Sequence, residues 1–178
     1  YEDNQNHLWF GSFTNGISRY DPSTEMFGLI QHKPNNPNSL SSNKIHSIYE
    51  TRDGMLWVGH DKGLELIDRS KGQFTHYASN SVANGIISGT TVVSMYEDRQ
   101  GYLWVGTSDG GVTQLNSKTN NARYFVHNSE DNNSLSDNYV YTIMEDSRGY
   151  VWFGTGRGLN RYDPIAKEFT HFFHQAGN

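Results

Sequence analysis

Short apolar and aromatic runs recur along the chain, each closed off by clusters of Gly, Asn, Asp and Ser. The strongest run repeats nearly verbatim as Leu8-Trp9-Phe10-Gly11, Leu56-Trp57-Val58-Gly59, Leu103-Trp104-Val105-Gly106 and Val151-Trp152-Phe153-Gly154. The four tryptophans of the chain are therefore repeat markers, at intervals of 48, 47 and 48 residues. Six or seven residues after each comes a glycine followed by an apolar residue: Gly16-Ile17, Gly63-Leu64, Gly111-Val112 and Gly158-Leu159. A third run follows near Met26-Phe27, Phe74–Tyr77, Tyr124–Val126 and Phe169–Phe173. One more precedes the later tryptophans, at Ile45–Glu50, Val92–Glu97 and Val140–Glu145, and the first copy lacks it. β-Branched and aromatic runs of this length between turn residues predict strands, so each unit reads as a four-stranded antiparallel meander, with no long helix. Gly54, Gly101 and Gly149 stand where a tight hairpin needs a positive φ.

Four strands per unit and a period in the mid-forties are the requirements of a β-propeller blade. The fold class is therefore all-β, with about four blades in one propeller segment spanning 1–178: a partial blade at 7–32 and full blades at 45–77, 92–127 and 140–174. The tryptophan runs show no in/out alternation, as expected of strands covered on both faces by stacked blades. Trp9, Trp57, Trp104 and Trp152 are assigned to the scaffold, with their glycines and the trio Leu40, Ile87 and Leu135. Propellers close with about 4–8 blades, and this chain falls one strand short of four. Either the segment closes as a small four-bladed ring, or its end blades need further blades, or a second copy of the chain, to cover them.

Composition narrows the function classes. Fourteen Lys and Arg against 19 Asp and Glu give a net charge of −5, with no basic cluster, which argues against nucleic acid as a partner. The absence of cysteine removes disulfides, Cys-based zinc sites and thiol catalysis. The apolar runs are too short to span a bilayer, so a membrane is expected only through segments outside this chain. The opening Tyr1-Glu2-Asp3-Asn4 is polar and acidic, unlike a signal peptide.

The residues that carry a family resemblance are Tyr20-Asp21-Pro22, Tyr162-Asp163-Pro164, Glu97-Asp98, Glu145-Asp146 and the Asn-Ser-Leu-Ser loops at 38–43 and 133–138. With the tryptophan runs, they closely resemble the two-component regulator propeller repeat over essentially the whole chain. The resemblance implies an extracytoplasmic, periplasmic sensory propeller of a bacterial inner-membrane receptor, feeding a histidine kinase or diguanylate cyclase, and in several members sensing oligosaccharides. It also implies a propeller larger than four blades. The middle copies depart from the pattern at Ile67-Asp68-Arg69, Leu115-Asn116-Ser117 and Asn84–Gly89.

Candidate chemistry is judged by whether it repeats, since recurring positions serve the scaffold and varying ones are free to specialise. Glu50, Glu97 and Glu145 recur at the end of the innermost run. Their expected role is to hydrogen-bond a turn or a neighbouring blade, with a cation-binding ring of carboxylates as the alternative. His32, His127 and His174 repeat, with Ser79 at that place in the second copy, as do His76 and His171; equivalent residues on different blades lie too far apart to share a metal, so no metal or cofactor is expected. The glycine turns at 106–111 and 154–158 lack the helix and Lys-Ser/Thr of a phosphate loop. No nucleophile elbow appears, and Asp53, Asp98 and Asp146 are expected in turns, so no enzyme is expected. The varying loops hold the ligand-site candidates: Phe13, His60, Asp61, Lys62, Asp109 and Arg157. Their mixture of ring, carboxylates and donors suits an oligosaccharide at one mouth of the channel. The alternative is an interaction scaffold with no small-molecule ligand.

Overall fold

The computed structural model describes residues 1–79 and 85–174. The tryptophan run becomes the second strand of each sheet. The first sheet orders β1 (Leu8–Gly11), β2 (Ile17–Asp21) and β3 (Met26–Ile30). The second runs β4 (Ile45–Glu50), β5 (Leu56–His60), β6 (Gly63–Asp68), β7 (Gln73–Tyr77). The third runs β8 (Val92–Glu97), β9 (Leu103–Thr107), β10 (Val112–Asn116), β11 (Asn121–Phe125), and the fourth β12 (Val140–Glu145), β13 (Val151–Thr155), β14 (Gly158–Asp163), β15 (Glu168–Phe172). Every pairing of neighbouring strands within a sheet is antiparallel. The sheets are propeller blades, and the innermost strands β4, β8 and β12 pack side by side. Gly54, Gly101 and Gly149 turn the inner hairpins at φ of 81°, 84° and 91°.

The first blade is more complete than its sequence suggests. The Trp9 backbone N–H donates to Tyr1 O at 2.7 Å, the Tyr1 backbone nitrogen donates to Trp9 O at 3.0 Å, and Glu2 bridges Leu8. Tyr1-Glu2-Asp3 thus lies along β1 in the register of Tyr96-Glu97-Asp98 along β9.

Each tryptophan face looks toward the following blade. Trp9 packs with Leu56, Val58 and Ile67; Trp57 with Leu103, Val105 and Leu115; Trp104 with Val151, Phe153 and Tyr162. Burying one such ring removes about 150–250 Å² from water, roughly 4–6 kcal/mol before entropy is charged against it. The indole N–H must then find a partner inside. Trp9, Trp104 and Trp152 donate to Asp3, Asp98 and Asp146 at 2.8, 2.7 and 3.0 Å. The same three aspartates accept backbone N–H groups of the hairpin turn. The second blade breaks the rule: Thr51 stands in the aspartate's place, Asp53 accepts from Thr51 Oγ1, and Trp57 Nε1 is buried without a partner among the described residues.

The repeated glutamates join blades. Glu50 accepts Asn4 N–H at 2.8 Å, Glu97 accepts Arg52 N–H at 2.7 Å, and Glu145 accepts Arg99 N–H at 2.8 Å, each from the turn of the preceding blade. Arg52 and Arg99 return to the same glutamates at 3.1 and 2.6 Å. The carboxylates are thus occupied as inter-blade staples.

The arc of blades is open among the described residues. Trp152, with no following blade, is half-buried and stacks on Phe172 at 5.5 Å. On the opposite end Phe10 and Phe27 are 52% and 71% exposed. Strand register places Phe10, Tyr20 and Phe27 where the fourth blade has Phe153, Tyr162 and Phe169. Removing the Asp98 carboxylate orphans the Trp104 N–H and two turn amides, so Asp98→Ala is expected to lose about 2–3 kcal/mol. Thr51→Asp supplies the missing acceptor to Trp57 and is expected to gain about 1 kcal/mol. Urea unfolding at neutral pH measures both.

Candidate functional site

The three full blades each carry a bulge at the start of the innermost strand, between Ile45 and Ser47, Val92 and Ser94, and Val140 and Thr142. A bulge leaves one residue out of the ladder and re-aims its side chain. The residues so placed are His46, Val93 and Tyr141, and they differ from blade to blade while their neighbours repeat. The Phe13 ring meets His46 edge-on at 5.3 Å, and Tyr139 stacks on Tyr141 at 4.3 Å. This rim therefore offers aromatic surface from the first, second and fourth blades. Tyr141 is 57% exposed.

The loops chosen from sequence lie on the same rim, and their members differ in availability. Phe13, Lys62, Asp109 and Arg157 are exposed, whereas His60 is 1% exposed and lies beneath the surface. Asp109 accepts both the backbone N–H and the hydroxyl of Thr90, at 2.9 and 2.8 Å. Asp61 lies 3.5 Å from Lys44 Nζ; burial pushes its carboxyl up, yet the Ser42 hydroxyl and Lys44 outweigh burial and hold it below the usual aspartate range. Lys62 Nζ donates to Ser41 O at 3.2 Å. Phe13 and Asp61 are brought to one stretch of rim, through His46 and Lys44. Asp109 and Arg157 stand on the third and fourth blades, and among the described residues no hydrogen bond or ion pair joins them to the other candidates. His46, Tyr139 and Tyr141 escaped the sequence reading because a bulge is invisible without strand register; the only available signal was variation at the second position of an otherwise repeating run.

Beneath the rim, the second blade replaces a neutral scaffold bond by a charged one. In the third and fourth blades the Ser88 and Ser136 N–H groups donate to Thr113 Oγ1 and Asn160 Oδ1, both at 2.8 Å. In the second, Ser41 N–H donates to Glu65 Oε1 at 2.5 Å, and His76 Nδ1 lies 2.8 Å from the same oxygen. His60 Nε2 stands 3.5 Å away. Burial pushes the Glu65 carboxyl up, but the His60 and Ser41 contacts prevail and hold it below the usual glutamate range. His60 on β5 and His76 on β7 flank Glu65 on β6 within one blade, so the blade-to-blade separation that keeps repeated histidines apart does not separate these two. Ser41 Oγ approaches His76 Nδ1 at 3.1 Å, which superficially suggests a nucleophile–base–acid relay. In such a relay the hydroxyl and the carboxylate hold opposite ring nitrogens. Here both share Nδ1, and Nε2 is taken by Pro37 O at 2.7 Å. The cluster is a clamp on the loop entering the second blade. His32 and His127 serve likewise, each placing Nδ1 on a loop carbonyl, Leu40 O and Leu135 O, at 2.6 and 2.7 Å. Among the described residues, no group of three or more His, Asp or Glu is arranged to hold a metal.

An open arc of β-propeller blades with a variable, aromatic rim defines the class. The family model of the two component regulator propeller matches residues 39–62, 86–109 and 134–157. A histidine kinase of Formosa agariphila is 26% identical over 66 residues, 37% of this chain and 5% of that one. The extracellular domain of a hybrid two-component system of Bacteroides thetaiotaomicron superposes at a TM-score of 0.81 with 28% identity, covering 96% of this chain and 22% of the other. A second such domain from that organism gives 0.79 at 26% identity, covering 97% and 24%. Virginiamycin B lyase from Staphylococcus aureus shares the fold alone, with a TM-score of 0.71 at 14% identity over 99% of this chain and 55% of the enzyme. The chain thus spans a quarter or less of the sensor proteins it matches.

The charged clamp has a testable sign. A glutamate held low in the folded state contributes stability above its unfolded value of about 4.5, and that contribution is lost as pH falls through the lower folded value. Glu65→Gln keeps an acceptor and is expected to flatten this part of the acid limb in urea unfolding at stepped pH. Glu65→Ala also orphans Ser41 N–H and His76, and is expected to lose about 2–3 kcal/mol at neutral pH.

Proposed function

We propose that the chain is a non-catalytic sensory segment in the periplasmic part of a bacterial inner-membrane receptor, and that its bulged rim recognises an oligosaccharide. The observation that carries this reading is the change of His46, Val93 and Tyr141 from blade to blade at a bulge each full blade keeps. The stacked Tyr139–Tyr141 pair and the Phe13–His46 edge suit the apolar faces of sugar rings. Lys44, Asp61 and Arg157 add donors and acceptors around them. The likeness to extracellular domains of hybrid two-component systems supports the sensory role and a position outside the cytoplasm. Binding would favour one of two arrangements of the receptor, and the output, a histidine kinase or diguanylate cyclase, would lie elsewhere in the polypeptide. Neither nucleic acid nor a cofactor enters this reading.

A second reading, an interaction scaffold without a small ligand, is favoured by the open apolar faces at Phe10, Phe27 and Trp152. Their covering would be further blades or a second copy. Thermal-shift screening against a glycan panel, followed by product analysis, separates the readings. A sugar that raises Tm without turnover supports sensing; turnover defeats the non-catalytic assignment; no response, with concentration-dependent association in sedimentation, favours the scaffold. Tyr141→Ala and Phe13→Ala are each expected to weaken a sugar found this way by about tenfold, the scale of one aromatic contact. Unchanged affinity in both would move the site off this rim.

A further inference from the structure

We propose that the seam between the first and second blades is a separate binding site for an organic carboxylate with a flat apolar body. A cavity of about 300 Å³ opens there, walled by Trp9, Ile30, Ile67 and Phe74, with Arg19 and Lys33 at its edge. That volume lies at the lower end of small-ligand sites, and an apolar wall with a few converging polar groups is their usual composition.

The cavity exists because blade 1 departs from its siblings. Register aligns Gly28 with Thr75, Arg123 and Thr170, and Ile30 with Tyr77, Phe125 and Phe172. In the next two seams those larger side chains fill the space: Tyr77 reaches Asn120 at 3.3 Å, and Arg123 reaches the Tyr162 hydroxyl at 3.0 Å. A Cβ built on Gly28 meets nothing within 4 Å. Gly28, Arg19 and Trp9 are cross-strand partners, so all three share the face toward the second blade.

The charge of the cavity is one-sided. Among the described residues, no carboxylate lines it. Its third cation, Arg69, is neutralised by Asp3 and Glu50, and also donates to Gly54 O at 2.8 Å. Arg19 and the Lys33 ammonium have no hydrogen bond, ion pair or ring contact among the described residues. The corresponding arginine of the fourth blade, Arg161, lies over the rings of Tyr150 and Trp152 at 4.6 and 5.9 Å. Arg19 instead presents a half-buried, unpaired fork beside an apolar slot, and a guanidinium in that setting takes a planar carboxylate in bidentate fashion.

1-Naphthoate is the probe, with 1-naphthamide and inorganic phosphate as controls, followed by calorimetry and by the indole N–H resonance of Trp9. Saturable binding of one naphthoate per chain is expected, with a shift at Trp9. Arg19→Gln is expected to weaken it at least about tenfold, the loss of a charge-assisted bond. Gly28→Thr, which copies Thr75 and Thr170, is expected to block it with Tm unchanged. Binding that survives both substitutions, naphthamide or phosphate binding as tightly as naphthoate, or no naphthoate binding at millimolar concentration would each overturn the proposal. Tyr141→Ala leaves naphthoate binding intact, so this site and the rim stand or fall separately.

Discussion

A blade of four short strands has two apolar faces, and nothing inside the blade can cover either of them. That constraint organises the molecule. The burial of an indole is completed by apolar side chains of the next blade, and at Trp9, Trp104 and Trp152 its N–H is satisfied by an aspartate of its own blade folded back over it. The glutamate next to that position reaches the opposite way, to the turn of the preceding blade. Two consecutive acidic residues thus divide two tasks, one within a blade and one between blades. Stability in such a stack is a sum of nearest-neighbour terms, so every seam counts and the end faces stay incomplete.

Features repeating in sequence were legible because the physics repeats with them. The tryptophans, the turn glycines and the buried trio Leu40, Ile87 and Leu135 stand where the period puts them. The role of Glu50, Glu97 and Glu145 followed from the general cost of burying a carboxylate without partners. Illegible were features that depend on register or on a single copy. Thr51, and not Asp53, is the true counterpart of Asp98, a shift of two positions that short turn motifs conceal. Tyr1-Glu2-Asp3 went unrecognised as the edge of the first blade because it lacks the apolar residues that announce a strand. His60 borders a rim loop in sequence, whereas its side chain turns inward beside Glu65.

The second blade concentrates these exceptions. Its indole has no acceptor, its glutamate replaces a threonine or an asparagine, and Arg69 stands where the first and fourth blades carry a proline. The substitutions are connected in space. Arg69 bridges Asp3 of the first blade and Glu50 of the second, so the first seam is tied by a buried ion-pair network in addition to the Glu50–Asn4 staple. The Glu65 clamp ties the loop that carries the chain across the same seam. Polar bonds of this kind fix geometry without requiring close apolar packing, because their distances are set by donor and acceptor rather than by the volume of the side chains between them.

That distinction explains how one seam holds a cavity without losing its register. In the third-to-fourth seam, Trp104, Phe125, Phe153 and Tyr162 interlock with ring centroids 5.0–5.9 Å apart, and any vacancy would be felt by several rings at once. In the first-to-second seam Gly28 and Ile30 withdraw volume, and Arg69, Glu50 and Asp3 keep the blades at their spacing. Since the scaffold needs only the indole, the staple and the loop clamp at each junction, the outer half of a seam is free to vary. The propeller therefore has two kinds of specialisable surface. One is the rim where bulges re-aim single residues; the other is the seam where small residues leave room between blades.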